Sequence, residues 1–154
     1  MDRIKIYIET EIHGPVRRNA AYGYVMEYIR PDGKPETREE FKNCTDVTEN
    51  RLTIMALASA LKRMRRKCSI RVFTGCSVVS GAFTNGWLEE WEKRNWKNAK
   101  GASVSNADAW QQLYEASKGQ EIIFAGKEEP NSYKNWLQEE IKRRKDGEEK
   151  KHYN

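Results

Sequence analysis

The 154 residues contain 38% hydrophobic and 33% charged side chains, a balance typical of one domain with a small core under a strongly charged surface. No apolar run reaches the roughly 20 residues of a membrane helix, and the first residues already alternate as a strand, so we expect a cytoplasmic protein with neither a membrane span nor a signal peptide. The net charge of +5 favours a polyanionic partner, and three widely spaced cysteines with two distant histidines argue against a disulfide framework or a thiolate-metal site.

The first third of the chain has the pattern of antiparallel strands. Residues 3–9 alternate isoleucine with Lys, Tyr and Glu, residues 20–30 are rich in β-forming side chains, and residues 37–44 can return as a third strand. A Gly-Pro pair lies in the first gap and an Asp-Gly pair in the second, and both are typical of turns. The pattern therefore predicts a three-stranded antiparallel meander.

A helix is predicted to follow, with Thr48 as its N-cap and an apolar stripe that runs from Leu52 to Met64. The segment 62–67, Lys-Arg-Met-Arg-Arg-Lys, is expected to form its last turns, where positive charge suits the helix dipole. The same five cations fit a solvated helix end or a binding patch, and both interpretations stay open.

The second half alternates helical and extended patterns. The predicted elements are a strand ending at Gly75, a helical segment at 77–96 interrupted around Gly81 and Gly86, a polar basic loop at 97–107, a helix at 107–117, a strand at 120–126 and a final helix at 132–145. We assign residues 1–142 to one domain and residues 143–154 to a charged C-terminal tail.

This order of elements predicts an α/β fold with a mixed five-stranded sheet and helices on both faces. Strand alternation and helical spacing should direct one set of side chains into a common core. The predicted core residues are Ile4, Ile6, Ile8, Leu57, Leu61, Val72 and Trp110.

Two stretches of sequence resemble the type 1 ribonuclease H family. Residues 91–113, "WEKRNWKNAKGASVSNADAWQQL", are similar to the basic protrusion, or handle, of that family. Residues 48–61, "TENRLTIMALASAL", are similar to the start of its first helix. The similarity extends from Ile4 to about Ile141, and it implies a ribonuclease H-like fold.

The resemblance also implies a chemistry that this sequence has largely lost. Family members cut the RNA strand of RNA–DNA hybrids with two Mg²⁺ ions, which four carboxylates hold together. The matching positions here are Glu9, Thr53, Gly75 and Asn135, of which only Glu9 is acidic. We therefore expect a degenerate site that binds no metal or other cofactor. Mg²⁺ or Mn²⁺ would be needed only if nearby acids rebuilt the site, and the candidates are Glu11, Glu49, Glu128 and Glu129.

Binding features of the family are better preserved. Cations interleaved with an aromatic side chain are typical of a surface that follows a nucleic-acid backbone. By resemblance, the candidate contacts are Thr48, Asn50, Ser77, Lys93, Arg94, Trp96, Lys97 and Lys100.

Three functions follow from this combination and stay open. The first is a pseudoenzyme that binds an RNA–DNA hybrid or duplex RNA through the handle. The second is a non-catalytic interaction module of the same fold with a protein partner. The third is an active hybrid endonuclease with a rearranged metal site.

Overall fold

Five strands form one mixed sheet in the computed structural model, which describes the backbone of residues 1–153 and the side chains of residues 1–147. The strands are β1 (Asp2–Thr10), β2 (Arg18–Ile29), β3 (Pro35–Val47), β4 (Cys68–Phe73) and β5 (Glu121–Phe124). Their order across the sheet is β3-β2-β1-β4-β5. The first three pair antiparallel, whereas β4 pairs parallel to both β1 and β5. The predicted meander and mixed five-stranded sheet are confirmed.

Helices cover both faces of this sheet, as predicted. They are α1 (Glu49–Leu61), α2 (Ser77–Thr84), α3 (Trp87–Lys93), α4 (Ala107–Ser117) and α5 (Lys134–Tyr153). In β1 the side chains of Ile6 and Ile8 join a large core with α1 and α4, while Tyr7 joins Leu137 of α5 in a smaller core. Because successive strand residues point to opposite faces, α1 and α5 lie on opposite sides of the sheet.

The predicted core is confirmed in six of its seven residues, all at most 2% exposed, and the seventh, Ile4, is partly buried against the same cluster. Trp110 of α4 packs on Trp91 with ring centroids 5.3 Å apart. Full burial of an aliphatic side chain contributes about 1.5–3 kcal/mol. The helix α4 therefore packs against α1 in the common core, and Trp110 also joins it to Trp91 of α3.

Two predicted helix boundaries were wrong. The helix α1 ends at Leu61, because the amides of Arg63 and Met64 bond to carbonyls three residues back and close a tight turn. Most of the cationic segment 62–67 therefore lies beyond the helix. The interruption predicted around Gly81 is absent, since α2 continues through that residue and the break comes at Gly86, whose φ of 68° is left-handed.

The C-terminal helix is longer than predicted. It continues past residue 145 to Tyr153, so the proposed boundary between domain and tail falls inside α5, and Asn154 lies outside the described residues. Within the described residues, no helix has both the length and the apolar character needed to span a membrane.

Gly23 of β2 lies where the sheet packs tightly against α5. It pairs with Phe41 of β3, and a Cβ on Gly23 would lie 2.7 Å from two carbons of the Phe41 ring. Arg144 of α5 places its guanidinium 4.0 Å from the centre of that ring, and Ile141 lies against Gly23 from the same helix. The ring therefore has little room to move.

We expect Gly23→Ala to lower the free energy of unfolding by about 1–3 kcal/mol, because the added methyl group overpacks the contact with Phe41. Gly75→Ala is the matched control, since nothing lies within 4 Å of a Cβ at that position. Urea unfolding followed by circular dichroism measures both variants. Equal stability of the two would contradict the tight packing beneath α5.

Candidate functional site

A pocket of about 540 Å³ opens where the carboxyl ends of β1 and β4 meet the starts of α1 and α5. Its lining includes Glu9, Thr53 and Gly75, so the structure brings together three of the four positions that the resemblance assigns to metal ligands. The parallel pairing of Tyr7 with Phe73 explains this proximity, because Glu9 and Gly75 each lie two residues beyond that pair.

Glu9 is one of three acidic residues in this lining, and it is only 7% exposed. The Nε2 group of Gln138 donates a hydrogen bond to its Oε1 at 2.9 Å. Burial raises the pKa of Glu9, although this hydrogen bond and the positive charge of Lys134 oppose the shift. The side chain therefore resists ionisation more than a solvated glutamate does.

Thr53 and Gly75 contribute no charge. Thr53 is 1% exposed, and its hydroxyl donates to the backbone carbonyl of Glu49 one turn earlier, at 2.9 Å. Gly75 leaves open space, since no atom lies within 4 Å of where its Cβ would be. Neither residue can supply the anionic oxygen that a divalent cation requires at these positions.

Asn135, the fourth position that the resemblance assigns to a metal ligand, lies outside the pocket lining. Its side chain is exposed. Lys134 and Gln138 do line the pocket, because residues four apart share a face of a helix whereas neighbours differ by about 100°. Leu137 of the same helix is fully buried. Lys134 and Gln138 were missed in the sequence analysis. The apolar residues Leu137 and Ile141, four positions apart, mark the buried face of α5, and they could have indicated which neighbouring residues face the pocket.

Glu11 and Glu128, two of the acids considered as replacements, do not line the pocket. The carboxylate of Glu11 accepts the amide of Ala21 at 2.9 Å and lies within 3.5 Å of Arg18 and Lys145. Glu128 is exposed. The contacts of Glu11 are those of a residue that fastens α5 and β2 to the end of β1.

Glu49 and Glu129 line the pocket but are already engaged. Glu49 accepts the amide of Gly14 at 2.9 Å and lies 3.6 Å from the imidazole of His13. Glu129 accepts the amide of Gly126 at 2.9 Å and forms an ion pair with Arg71, whose guanidinium holds the pKa of that carboxyl below its usual range.

This donor set does not fit a pair of magnesium ions. Mg²⁺ requires near-octahedral oxygen ligation, and two such ions repel strongly unless several anions surround them. Glu9 is buried with a raised pKa, and the other two acids in the lining are held by their own partners. Within residues 1–147, no group of three or more His, Cys, Asp or Glu side chains is placed to hold a metal ion.

The starts of α1 and α2 meet beside this pocket. Thr48 caps α1 by accepting the amide of Arg51 at 3.3 Å. The thiol of Cys76 donates to Oδ1 of Asn50 at 3.2 Å, which joins the two helix starts, and Ser77 is exposed as the first residue of α2. The three candidate contacts Thr48, Asn50 and Ser77 therefore lie in one region, although the side chains of Thr48 and Asn50 also have structural roles.

The handle presents its cations to solvent. Lys93, Arg94, Lys97 and Lys100 are all exposed, and within the part of the chain whose side chains are described none of them makes an ion pair. Such unpaired charges are available to phosphate groups.

Trp96 has a different role from these cations. It is half-buried, and its ring lies 6.5 Å from Trp91 and 5.9 Å from Tyr114, measured between centroids. The backbone of Trp96 is left-handed, with φ 60°, and its amide bonds to the carbonyl of Trp91 at 2.7 Å. The side chain therefore anchors the base of the handle and offers only part of its surface for base stacking.

Comparison with known proteins identifies relatives over most of the chain. The RNase H family model matches residues 10–126. A ribonuclease H of Clostridium botulinum is 31% identical over 126 residues, covering 80% of this chain and 81% of that protein. A ribonuclease H of Methylococcus capsulatus is 34% identical over 119 residues, covering 77% of this chain and 74% of its own length.

Solved structures share the fold at lower identity. The crystal structure of LC9-RNase H1, described as a type 1 RNase H with the type 2 active-site motif, superimposes with a TM-score of 0.72 at 19% identity, covering 90% of this chain and 70% of that one. The solution structure of the PFV RNase H domain gives a TM-score of 0.63 at 17% identity, with 91% and 90% covered.

We expect Glu9→Gln to stabilise the protein more at neutral pH than at acid pH. Burial raises the pKa of Glu9, so the folded protein holds this proton more tightly than the unfolded chain, and stability falls as pH rises above the ordinary pKa of 4.5. Glutamine cannot ionise, and it keeps an acceptor for Gln138.

Urea unfolding at about pH 4 and about pH 7 measures the difference. Glu128→Gln is the control, because Glu128 is an exposed acid outside the pocket lining. A Glu9→Gln effect of the same size at both pH values would contradict the raised pKa.

Proposed function

Because the chain belongs to the RNase H family, we propose that it binds nucleic acid, in the form of an RNA–DNA hybrid or duplex RNA, without cleaving it. The observation that carries this proposal is the set of side chains that line the pocket at the ends of β1 and β4. Of its residues at the expected metal-ligand positions, Glu9 is buried, Thr53 is neutral and Gly75 has no side chain.

The loss of two metal ions has a large energetic consequence for hydrolysis. Metal ions activate the attacking water and stabilise the leaving oxygen, and each 1.36 kcal/mol of barrier lowering multiplies the rate tenfold. The remaining side chains offer no equivalent charge, since Glu49 and Glu129 are held by His13 and Arg71. Turnover in the family manner is therefore not expected from this pocket.

The handle supports the binding half of the proposal. Four exposed cations lie within eight residues of sequence and carry no compensating ion pair among the described side chains, so a phosphate backbone can displace their counterions. Foamy viral protease-reverse transcriptase structures that share this fold were determined with an RNA/DNA hybrid and with double-stranded DNA, which is consistent with such a ligand.

An active hybrid endonuclease is the second candidate. Relatives that are 31% and 34% identical carry the name ribonuclease H, and this is the observation in its favour. Such an enzyme would need Glu9, Glu49 and Glu129 to leave their present partners and gather around the ions. An interaction module with a protein partner is the outcome that remains if neither binding nor cleavage is observed.

We expect no cleavage of an RNA–DNA hybrid in Mg²⁺ or in Mn²⁺. A fluorescent hybrid incubated with the purified chain measures this, and Glu9→Gln is the control for contaminating nucleases. Cleavage by the natural chain that Glu9→Gln abolishes would overturn the proposal in favour of the active enzyme.

A second experiment uses a variant that adds carboxylates at two of the expected metal-ligand positions. Thr53→Glu combined with Gly75→Asp adds two carboxylates to the pocket, and Gly75 has the open space to receive one. We expect calorimetry to detect Mn²⁺ binding by this double variant and none by the natural chain.

Replacing Lys93, Arg94, Lys97 and Lys100 together by Ala should weaken hybrid binding and flatten its salt dependence by a few units, since each phosphate contact contributes about 0.9 to the slope. The control replaces Lys62, Arg63, Arg65 and Arg66 by Ala, a matched change of charge in the segment after α1. Titration at several salt concentrations measures both. A lower slope in the control alone would move the binding surface to that segment.

A further inference from the structure

The charges around the pocket are compensated unevenly. Its three carboxylates each have a partner: Glu9 accepts from Gln138, Glu49 faces His13, and Glu129 is paired with Arg71. Its two lysines make no such direct contact, although Lys134 is near enough to Glu9 for its charge to oppose the rise in the pKa of that carboxyl. Within the described side chains, Lys127 and Lys134 make neither an ion pair nor a side-chain hydrogen bond. The ammonium groups of Lys127 and Lys134 are therefore not held in direct contacts with other described side chains.

We propose that Lys127 and Lys134 bind a phosphodiester of the nucleic-acid ligand in this pocket and do so without a divalent cation. The inference rests on the proposed function and assigns the chemistry by which that same site holds its ligand. Lys134 lies on the first turn of α5, and Lys127 lies in the loop after β5. The two lysines thus approach the pocket from different elements.

The chemistry of lysine suits this role. An ammonium group is a compact point charge with three donors on a flexible stem, and it binds phosphate as the lysine of a P-loop does. A metal ion must first be collected by protein anions, whereas these charges are covalently attached. Two ammonium groups without direct side-chain partners can therefore contact a phosphate in this pocket without Mg²⁺.

Asn131 adds an independent observation. It lines the same pocket, and its Oδ1 is buried without a hydrogen-bond partner among the described residues. An unsatisfied buried acceptor is costly, and a donor from a ligand would remove that cost. A ribose hydroxyl next to the bound phosphodiester is such a donor, which fits an RNA strand.

The test compares binding of a labelled RNA–DNA hybrid in EDTA and in Mg²⁺ at matched ionic strength. The variant is Lys127→Gln with Lys134→Gln. The control is Lys34→Gln with Lys142→Gln, two exposed lysines outside the pocket that remove the same charge. Circular dichroism of both variants checks that they fold.

We expect the natural chain to bind equally well in EDTA and in Mg²⁺. The pocket variant should bind about tenfold more weakly than the control, as expected for the loss of charge-assisted contacts, and its salt slope should be lower by about one to two units.

Binding that requires Mg²⁺, or equal affinity of the two variants, would overturn the inference and leave the proposed function standing. The absence of binding by the natural chain under both conditions would overturn the proposed function itself, and the inference with it.

Discussion

The parallel pairing of β1 with β4 is the constraint on which the site depends. It aligns Tyr7 with Phe73, so that the two chains leave the sheet at the same edge and carry Glu9 and Gly75 into one pocket. The stacked rings of Tyr7 and Phe73, with centroids 4.4 Å apart, hold that register from the face covered by α5. A slip of one residue would turn Tyr7 into the larger core and remove Glu9 from the pocket, because side chains alternate between faces.

The same packing gives the pocket a shape that does not depend on a cluster of carboxylates. Family sites gather several carboxylates, and like charges at close range destabilise a folded protein unless cations separate them. In this pocket Thr53 presents a neutral hydroxyl that bonds to the backbone of its own helix, and Gly75 has no side chain. The pocket can therefore persist without metal ions, since it holds little repulsion that they would need to neutralise.

Much of the fold could be predicted from the sequence because its signals are local. Alternating isoleucines in β1, the cap at Thr48 and the spacing of Trp110 with Leu113 specify elements and their buried faces. The end of α1 and the length of α5 were harder to predict, because charged segments fit a helix and a solvated loop equally well. For Lys62 to Lys67, the outcome was decided by a tight turn and by partners distant in sequence, such as Asp2 for Arg66.

The site was predictable only where a strand or a contiguous motif fixed its residues. Glu9, Thr53 and Gly75 were assigned by their resemblance to family motifs that run without a gap, and the structure brings the three residues together. The fourth position depends on the rotation of α5 after a loop of different length, and one residue of shift exchanges exposed Asn135 for Lys134 in the lining. That exchange places a positive charge, in place of a neutral amide, in this wall of the pocket. A small change of helix phase thus decides which side chains of α5 enter the pocket lining, and alignment to a family motif does not reveal that phase.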